Sequence, residues 1–207
     1  MKKFDIVVIG GSAAGITAAV TARRHYPGKS ILLIRKEEKV SIPCGIPYVF
    51  GTVGDPLKNL IPVDNMLTGN KIEGIVDEAV DVERESNIIT TLGGEKVAYE
   101  RLVLATGSLP LIPSIPGAGL KNVFAVKKEV PYLQALKEKL HQSKNICIIG
   151  CGFIGVEIAE ECRKACPDVN ISIVEMQRNC LQLVFDEEFS LLVEKKLNEQ
   201  NINLLLE

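Results

Sequence analysis

One pattern occurs twice in these 207 residues and constrains most of what the chain can fold into. FDIVVIGGSAAGITAAVTARRHYPGKSILLIRKE starts at Phe4, and NICIIGCGFIGVEIAEECRKACPDVNISIVEMQ starts at Asn145. Each begins with a β-branched apolar run, meets glycines, continues with alanine-rich helical periodicity and ends in a second apolar run. A strand, a helix and a second strand joined this tightly form a βαβ unit, and two such units require parallel sheets and an α/β fold.

The intervening chain has a different texture. Residues 74 to 105 alternate in short runs broken by Ser86-Asn87 and Gly93-Gly94, which predicts a small antiparallel β-meander ending in RLVLATG. LPLIPSIPG (109 to 117) excludes helix through its prolines and acts as a connector. KKEVPYLQALKEKLHQS (127 to 143) carries an amphipathic helical period. The expected organisation is a first nucleotide-binding domain over residues 1–115, a connector with this helix over 116–143, and part of a second domain over 144–207.

Both glycine turns match the requirements of a Rossmann-like dinucleotide site. Gly10, Gly11, Ser12, Ala13, Ala14 and Gly15 give G-x-S-x-x-G, with serine where the strict pattern has glycine. Gly10 serves the tight turn and Gly15 the packing of helix on strand, and Ser12 is small enough for a pyrophosphate to approach. The helix end then offers unpaired N–H groups and a partial positive charge. Where an acidic residue would bond the ribose stand Arg35, Lys36 and Glu37. Either Glu37 reaches the ribose or Arg35 contacts the adenosine end.

The second turn is complete. Gly150, Gly152 and Gly155 satisfy G-x-G-x-x-G, and Glu175 ends the following strand. A carboxylate there bonds a free 2′-hydroxyl and repels a 2′-phosphate, which favours NADH over NADPH, with the nearby Arg178 working against that preference.

Charge and cysteine content narrow the function classes. The net charge is −2 with no basic block, which argues against nucleic acid as a partner. No stretch approaches a membrane span, and the chain reads as cytoplasmic with no membrane partner. Six cysteines (Cys44, Cys147, Cys151, Cys162, Cys166 and Cys180) show no CxxC pair, so no disulfide framework and no metal site are expected. In VSIPCGIPYVFG, Cys44 stands between Pro43 and Pro47. It is a small buried hydrophobe, a disulfide half, a metal ligand or a reactive thiolate. Pro47 suits the first turn of a helix, which would set Cys44 ahead of a positive helix end and favour its thiolate.

Two dinucleotide units with RLVLATGSLP between them resemble the pyridine nucleotide–disulfide oxidoreductase family of two-dinucleotide-binding-domain flavoproteins. The resemblance implies FAD on the first unit, with Gly10, Gly11, Ser12, Ala14, Gly15, Arg35, Lys36, Ala105, Thr106 and Gly107 around it. It implies NADH, with NADPH as the alternative, on the second, served by Gly150, Gly152, Phe153, Ile154, Gly155, Glu157 and Glu175. Phe153 resembles the family's aromatic lid over the flavin, and Glu157 its carboxamide-bonding glutamate.

SIPCGIPYVF resembles the single-cysteine branch, whose members are NADH oxidases, NADH peroxidases, and coenzyme A-disulfide or persulfide reductases. There the thiol works beside the flavin, which makes Cys44 the catalytic residue. Peroxidases and oxidases carry a histidine at the position of Ala13, and without that proton donor a disulfide or persulfide substrate is favoured. Oxygen or peroxide as acceptor is the alternative, and a non-catalytic nucleotide-binding or redox-sensing module a second one. Arg23 and Arg24 resemble residues that grip coenzyme A phosphates, and are equally well solvated arginines at a helix C-terminus; Ser41 sits one residue out of the family register. The family implies a homodimer about twice this length, and the 207-residue piece alone is expected to hold FAD weakly and not to turn over.

Overall fold

In the computed structural model, which describes residues 1–207, the apolar run after Met1 forms strand β1 (Lys2–Ile9) at the centre of a six-stranded sheet. The chain passes through the first glycine turn into helix α1 (Ala13–His25), returns in β2 (Ile31–Arg35), and crosses again through a short helix α2 (Val63–Gly69) into β3 (Glu73–Val76). Strands β4 (Ala79–Glu83), β5 (Ile88–Thr91) and β6 (Lys96–Leu104) complete the order β3-β2-β1-β6-β5-β4.

Strand β1 is parallel to both neighbours, with Ile6 opposite Ile31 of β2 and opposite Arg101 of β6. Alternate residues therefore enter opposite faces. Val8, Ile31 and Leu33 pack with Ile16 and Ala19 of α1 and Val63 and Leu67 of α2. Phe4, Val7, Ile9, Leu32 and Ile34 pack with Ile89, Val97 and Tyr99. Strands buried on both faces read as continuous hydrophobic runs, which is why ILLI carries no polar residue.

The meander is present, antiparallel from β4 through β6. Asn87 (φ 54°) and Gly94 (φ 84°) take left-handed backbone at its two turns. Its expected start at residue 74 is corrected, because β3 pairs parallel with β2 and belongs to the βαβ part. The cause is α2, a seven-residue crossover too short to show a helical period in sequence.

By compactness the chain divides into two units, Met1–Pro43 with Leu60–Glu129, and Cys44–Asn59 with Val130–Glu207. In the second unit, α3 (Val130–His141) precedes β7 (Asn145–Ile149), the second glycine turn, α4 (Phe153–Ala165), β8 (Asn170–Val174), α5 (Glu187–Glu199) and β9 (Ile202–Leu205). The sheet β7-β8-β9 is parallel throughout. Helix α3 is not part of a connector as the sequence suggested, since it buries Val130, Leu133 and Leu136. The segment 44–59 also differs from its expected place in a domain spanning 1–115. Val49 and Phe50 are buried, and Thr52 donates from its N–H and its hydroxyl to the Glu161 carboxylate on α4. Residues 109–117 have no regular structure, as their prolines dictate.

The internal repeat runs further than the sequence showed, to a third strand in each unit. An arginine thirteen residues after the first glycine of each turn ties it together. Arg23 donates to the carbonyls of Pro27, Lys29, Asn70 and Lys71 at 2.6–3.0 Å. Arg163 donates to those of Pro167, Val169 and Asn201 at 2.7–2.9 Å. Each clamp joins the last helical turn to the following loop and to the turn before the third strand, where Lys71 (φ 52°) and Asn201 (φ 56°) are left-handed. No helix is long and apolar enough to cross a membrane.

Candidate functional site: two glycine turns and an exposed thiol

In the first unit the crevice lies where strand order reverses, between the carboxyl ends of β1 and β6, the usual place for a ligand in an open α/β sheet. Gly10 has φ +121°, and a Cβ there would lie 2.0 Å from the Ala105 carbonyl oxygen. A Cβ on Gly15 would lie 1.8 Å from the Gly10 carbonyl oxygen. The turn, the helix and the Ala105 segment therefore close on one another only with glycine at both positions. The Ala105 N–H donates to Ile9 at 2.8 Å, and exposed Thr106 and Gly107 follow it along the rim.

Helix α1 begins without a cap. Ser12 is the N-cap residue, but its side chain caps nothing and the first turn holds no acid. Ala13 and Ala14 leave that end exposed. Its first N–H groups are thus free to receive an anion.

Arg35, at the end of β2, is held inside the unit. It is 3% exposed beneath Gly11, donating from Nε to the Glu37 carbonyl (3.1 Å) and from Nη2 to Asp64 Oδ1 (2.8 Å). Its guanidinium is committed inside the unit, and the Asp64 carboxylate, 77% exposed, stands at that edge instead. Sequence reasoning missed Asp64, because α2 brings it there from 29 residues away. Lys36 is exposed and paired with Glu78 at 3.0 Å.

The second turn repeats the design within its own unit. Gly150 has φ +103°, and a Cβ on Gly155 would lie 2.0 Å from the Gly150 carbonyl oxygen. Helix α4 also starts uncapped, with Gly152 at the N-cap, no acid in the first turn, and Phe153 and Ile154 exposed. The contrast is α5, where Asp186 accepts from the Phe189 N–H at 3.0 Å and Glu187 and Glu188 follow. Only the helices after glycine turns are left open among the three long α-helices whose N-caps are described.

Glu175, at the end of β8, accepts from the N–H of Cys151 at 2.7 Å and of Gln177 at 3.0 Å. Each oxygen keeps acceptor capacity toward a ribose. Phe153 meets Phe185 edge to face at 5.7 Å, so it is a half-exposed aromatic and not a core residue. Glu157 is half-buried one turn further along, and Arg178 is exposed.

Against the expectation of no disulfide framework, one bond joins Cys151 and Cys180 in this unit. Their 29-residue separation resembles no redox motif, but parallel β7 and β8 end on the same edge, which brings the two loops together.

Cys44 is exposed. The helix expected at Pro47 forms only as a four-residue 3-10 turn, Pro47–Phe50, with Pro47 in its first turn. Pro43–Gly45 is a separate 3-10 turn, and Cys44 lies inside it rather than in a continuous α-helix. Its position is fixed by packing, since a Cβ on Gly45 would lie 2.0 Å from the buried Asn59 side-chain oxygen. Burial pushes the Cys162 thiol up to about 12 and raises that of Cys166. Of the two exposed thiols, Cys147 lies on strand β7, which leaves Cys44 as the one in a turn.

Of the suggested substrate residues, Arg23 is corrected. Four backbone carbonyls hold its guanidinium, and Arg163 does the same work in the repeat, so it is a structural clamp. Arg24 is exposed. Ser41 is buried, and its hydroxyl has no hydrogen-bond partner.

The family model for pyridine nucleotide-disulphide oxidoreductases matches residues 4–207. The chain is 34% identical to an NAD(P)H coenzyme A polysulfide/persulfide reductase of Pyrococcus horikoshii, over 100% of this chain and 47% of that protein. It is also 34% identical to an NADH oxidase of Lactococcus lactis, over 96% of this chain and 46% of that protein. A reduced CoADR-RHD of Bacillus anthracis superposes with a TM-score of 0.87 at 28% identity, over 100% of this chain and 38% of that one. The chain thus spans about half the length of the curated relatives it matches.

Proposed function

Because the chain belongs to the pyridine nucleotide-disulphide oxidoreductase family, we propose that it carries the FAD site and part of the NADH site of an oxidoreductase that reduces a disulfide or persulfide through Cys44. The observation that carries this reading is the pair of uncapped, acid-free helix ends, each behind a turn that only glycine can close. Two such ends fit two pyrophosphates.

FAD, when bound, supplies the relay of an electron pair from NADH to the sulfur substrate. The amides of α1 would hold its pyrophosphate, with Ala105, Thr106 and Gly107 beside it. Ser41, with a buried hydroxyl lacking a partner, supports contact with a bound group. On the second unit the α4 amides would hold the NADH pyrophosphate and Glu175 its adenosine ribose, while Phe153 would screen the nicotinamide and Glu157 would bond its carboxamide. The Cys44 thiolate attacks one sulfur of the substrate, forming a mixed disulfide and expelling the first thiolate. Two electrons and a proton then release the second thiol and restore Cys44. The protein works as a cytoplasmic homodimer on small thiols of the coenzyme A class.

Oxygen as acceptor is the second reading, favoured by the oxidase names among the relatives. Ala13, exposed and without an ionisable group, argues against it, since oxygen chemistry at a thiol requires a proton donor. Following oxygen uptake and coenzyme A disulfide consumption in parallel, in the native protein with NADH, decides between them. Disulfide loss well ahead of oxygen uptake is expected, and the reverse order would overturn the disulfide assignment.

Glu175→Ala tests the nicotinamide assignment separately. Removing the carboxylate abolishes the repulsion of a 2′-phosphate and the bond to a 2′-hydroxyl, so the preference for NADH over NADPH in kcat/KM should fall by about tenfold or more. An unchanged ratio would assign the reading to another residue.

A further inference from the structure

The Cys151–Cys180 bond lies outside the chemistry assigned to Cys44, yet it is built into the second glycine turn. Cys151 stands between Gly150 and Gly152, 1% exposed, and its Cα is 4.9 Å from that of Cys180. Its N–H donates to Glu175 at 2.7 Å, and its carbonyl accepts from Leu181 at 2.9 Å. Cys180 is fully buried, and its N–H donates to Glu194 of α5 at 2.9 Å. Leu181, next in the chain, holds a left-handed backbone at φ 57°. One covalent strut therefore connects the turn that faces a pyrophosphate, the carboxylate that faces a ribose, and the loop from Met176 to Phe185. Past Leu181 that loop is largely exposed, with Leu183 85% accessible.

We propose that Cys151 and Cys180 are a second redox site, a dithiol that low-molecular-weight disulfides oxidise and whose oxidised form orders the dinucleotide loop for NADH. This rests on the assignment of the second unit to NADH and adds a regulation of that site. One cysteine thiolate attacks the small disulfide when the loop lifts, forming a mixed disulfide and releasing one thiol. The other cysteine then attacks the protein sulfur of that bond, closing Cys151–Cys180 and releasing the second thiol. Two protein thiols are oxidised, one disulfide is reduced to two thiols, and both protons leave on the products. The oxidant belongs to the chemical class proposed as substrate, so abundant substrate raises affinity for the reductant.

The native protein carrying Cys44→Ser and Cys147→Ser, which removes both exposed free thiols, is treated with oxidised glutathione or with a phosphine reductant. Peptide mapping after alkylation locates the bond, hydrogen exchange reads the order of residues 176–185, and NADH is titrated directly. The oxidised form is expected to contain the Cys151–Cys180 peptide, to exchange more slowly in the loop, and to bind NADH about tenfold more tightly. Cys180→Ser should match the reduced form under both treatments. Free thiols at both positions after oxidation, or equal exchange and equal affinity in the two states, would overturn the redox proposal. Loop protection that follows the bond while NADH binds neither form would instead overturn the nicotinamide assignment and with it the coupling to NADH.

Discussion

Cys44→Ser is expected to leave NADH-driven reduction of bound flavin at its original rate and to lower disulfide turnover by about 10³-fold or more. The two events use different parts of the molecule. On the proposed assignment flavin reduction uses the two glycine turns, which the substitution leaves untouched. Disulfide turnover needs a sulfur nucleophile, and a hydroxyl is almost never ionised near neutral pH. Serine has nearly the volume of cysteine and Cys44 is exposed, so the 3-10 turn it occupies is retained. Nor can Cys162 substitute, because its thiol is buried and burial pushes it up to about 12. Cys147→Ser, removing the other exposed free thiol, should leave turnover unchanged. Single-turnover flavin absorbance with steady-state disulfide assays checks both halves, and retained turnover in Cys44→Ser would remove Cys44 from the mechanism.

Glu161→Ala is expected to destabilise the second unit by about 3 kcal/mol, lowering its melting midpoint by about 12–24 °C. Glu161 is 1% exposed, with one oxygen taking the Thr52 hydroxyl (2.9 Å) and Lys164 (2.8 Å), and the other the Thr52 N–H. Alanine strands the Thr52 groups and leaves a void where Gly51 packs on α4. Burial alone would raise the Glu161 carboxyl, but hydrogen bonds from Lys164 and Thr52 outweigh it and hold the group below its ordinary value. A depressed acid contributes stability that is complete above the unfolded-state value and is lost as pH falls through the folded one. The wild type should therefore lose its advantage over Glu161→Gln as pH drops below the ordinary carboxylate range. Thermal melts of both proteins across that range check this. A gap that is constant with pH would show that the ionised carboxylate is not what holds segment 44–59 to α4.

Much of the fold was legible because glycine and β-branched runs act locally. The strands of both βαβ units follow from runs such as VVIGG and CIIGCG, and the meander turns follow from Ser86-Asn87 and Gly93-Gly94. What escaped depends on chain elements that meet only after folding. Helix α2 is two turns long and carries Asp64 to Arg35, a contact that no spacing encodes. Glu161 reads as an ordinary helix charge until Thr52, 109 residues away, arrives against it. The Cys151–Cys180 bond escaped for the same reason, since cysteine spacing says nothing of two loops placed at one sheet edge. The helix expected behind Cys44 is present only as one 3-10 turn, Pro47–Phe50, ending at Gly51.

In the proposed mechanism the two glycine turns serve nucleotides that act in series on a thiol at Cys44. An anaerobic titration of the native protein, first loaded with coenzyme A disulfide so that Cys44 carries a mixed disulfide, tests it by counting reducing equivalents. The wild type should consume one equivalent of NADH for the flavin and a second for Cys44, releasing one equivalent of coenzyme A thiol, while Cys44→Ser consumes only the first and releases none. Flavin reduction complete at a single equivalent in both proteins, with no thiol released, would contradict the account.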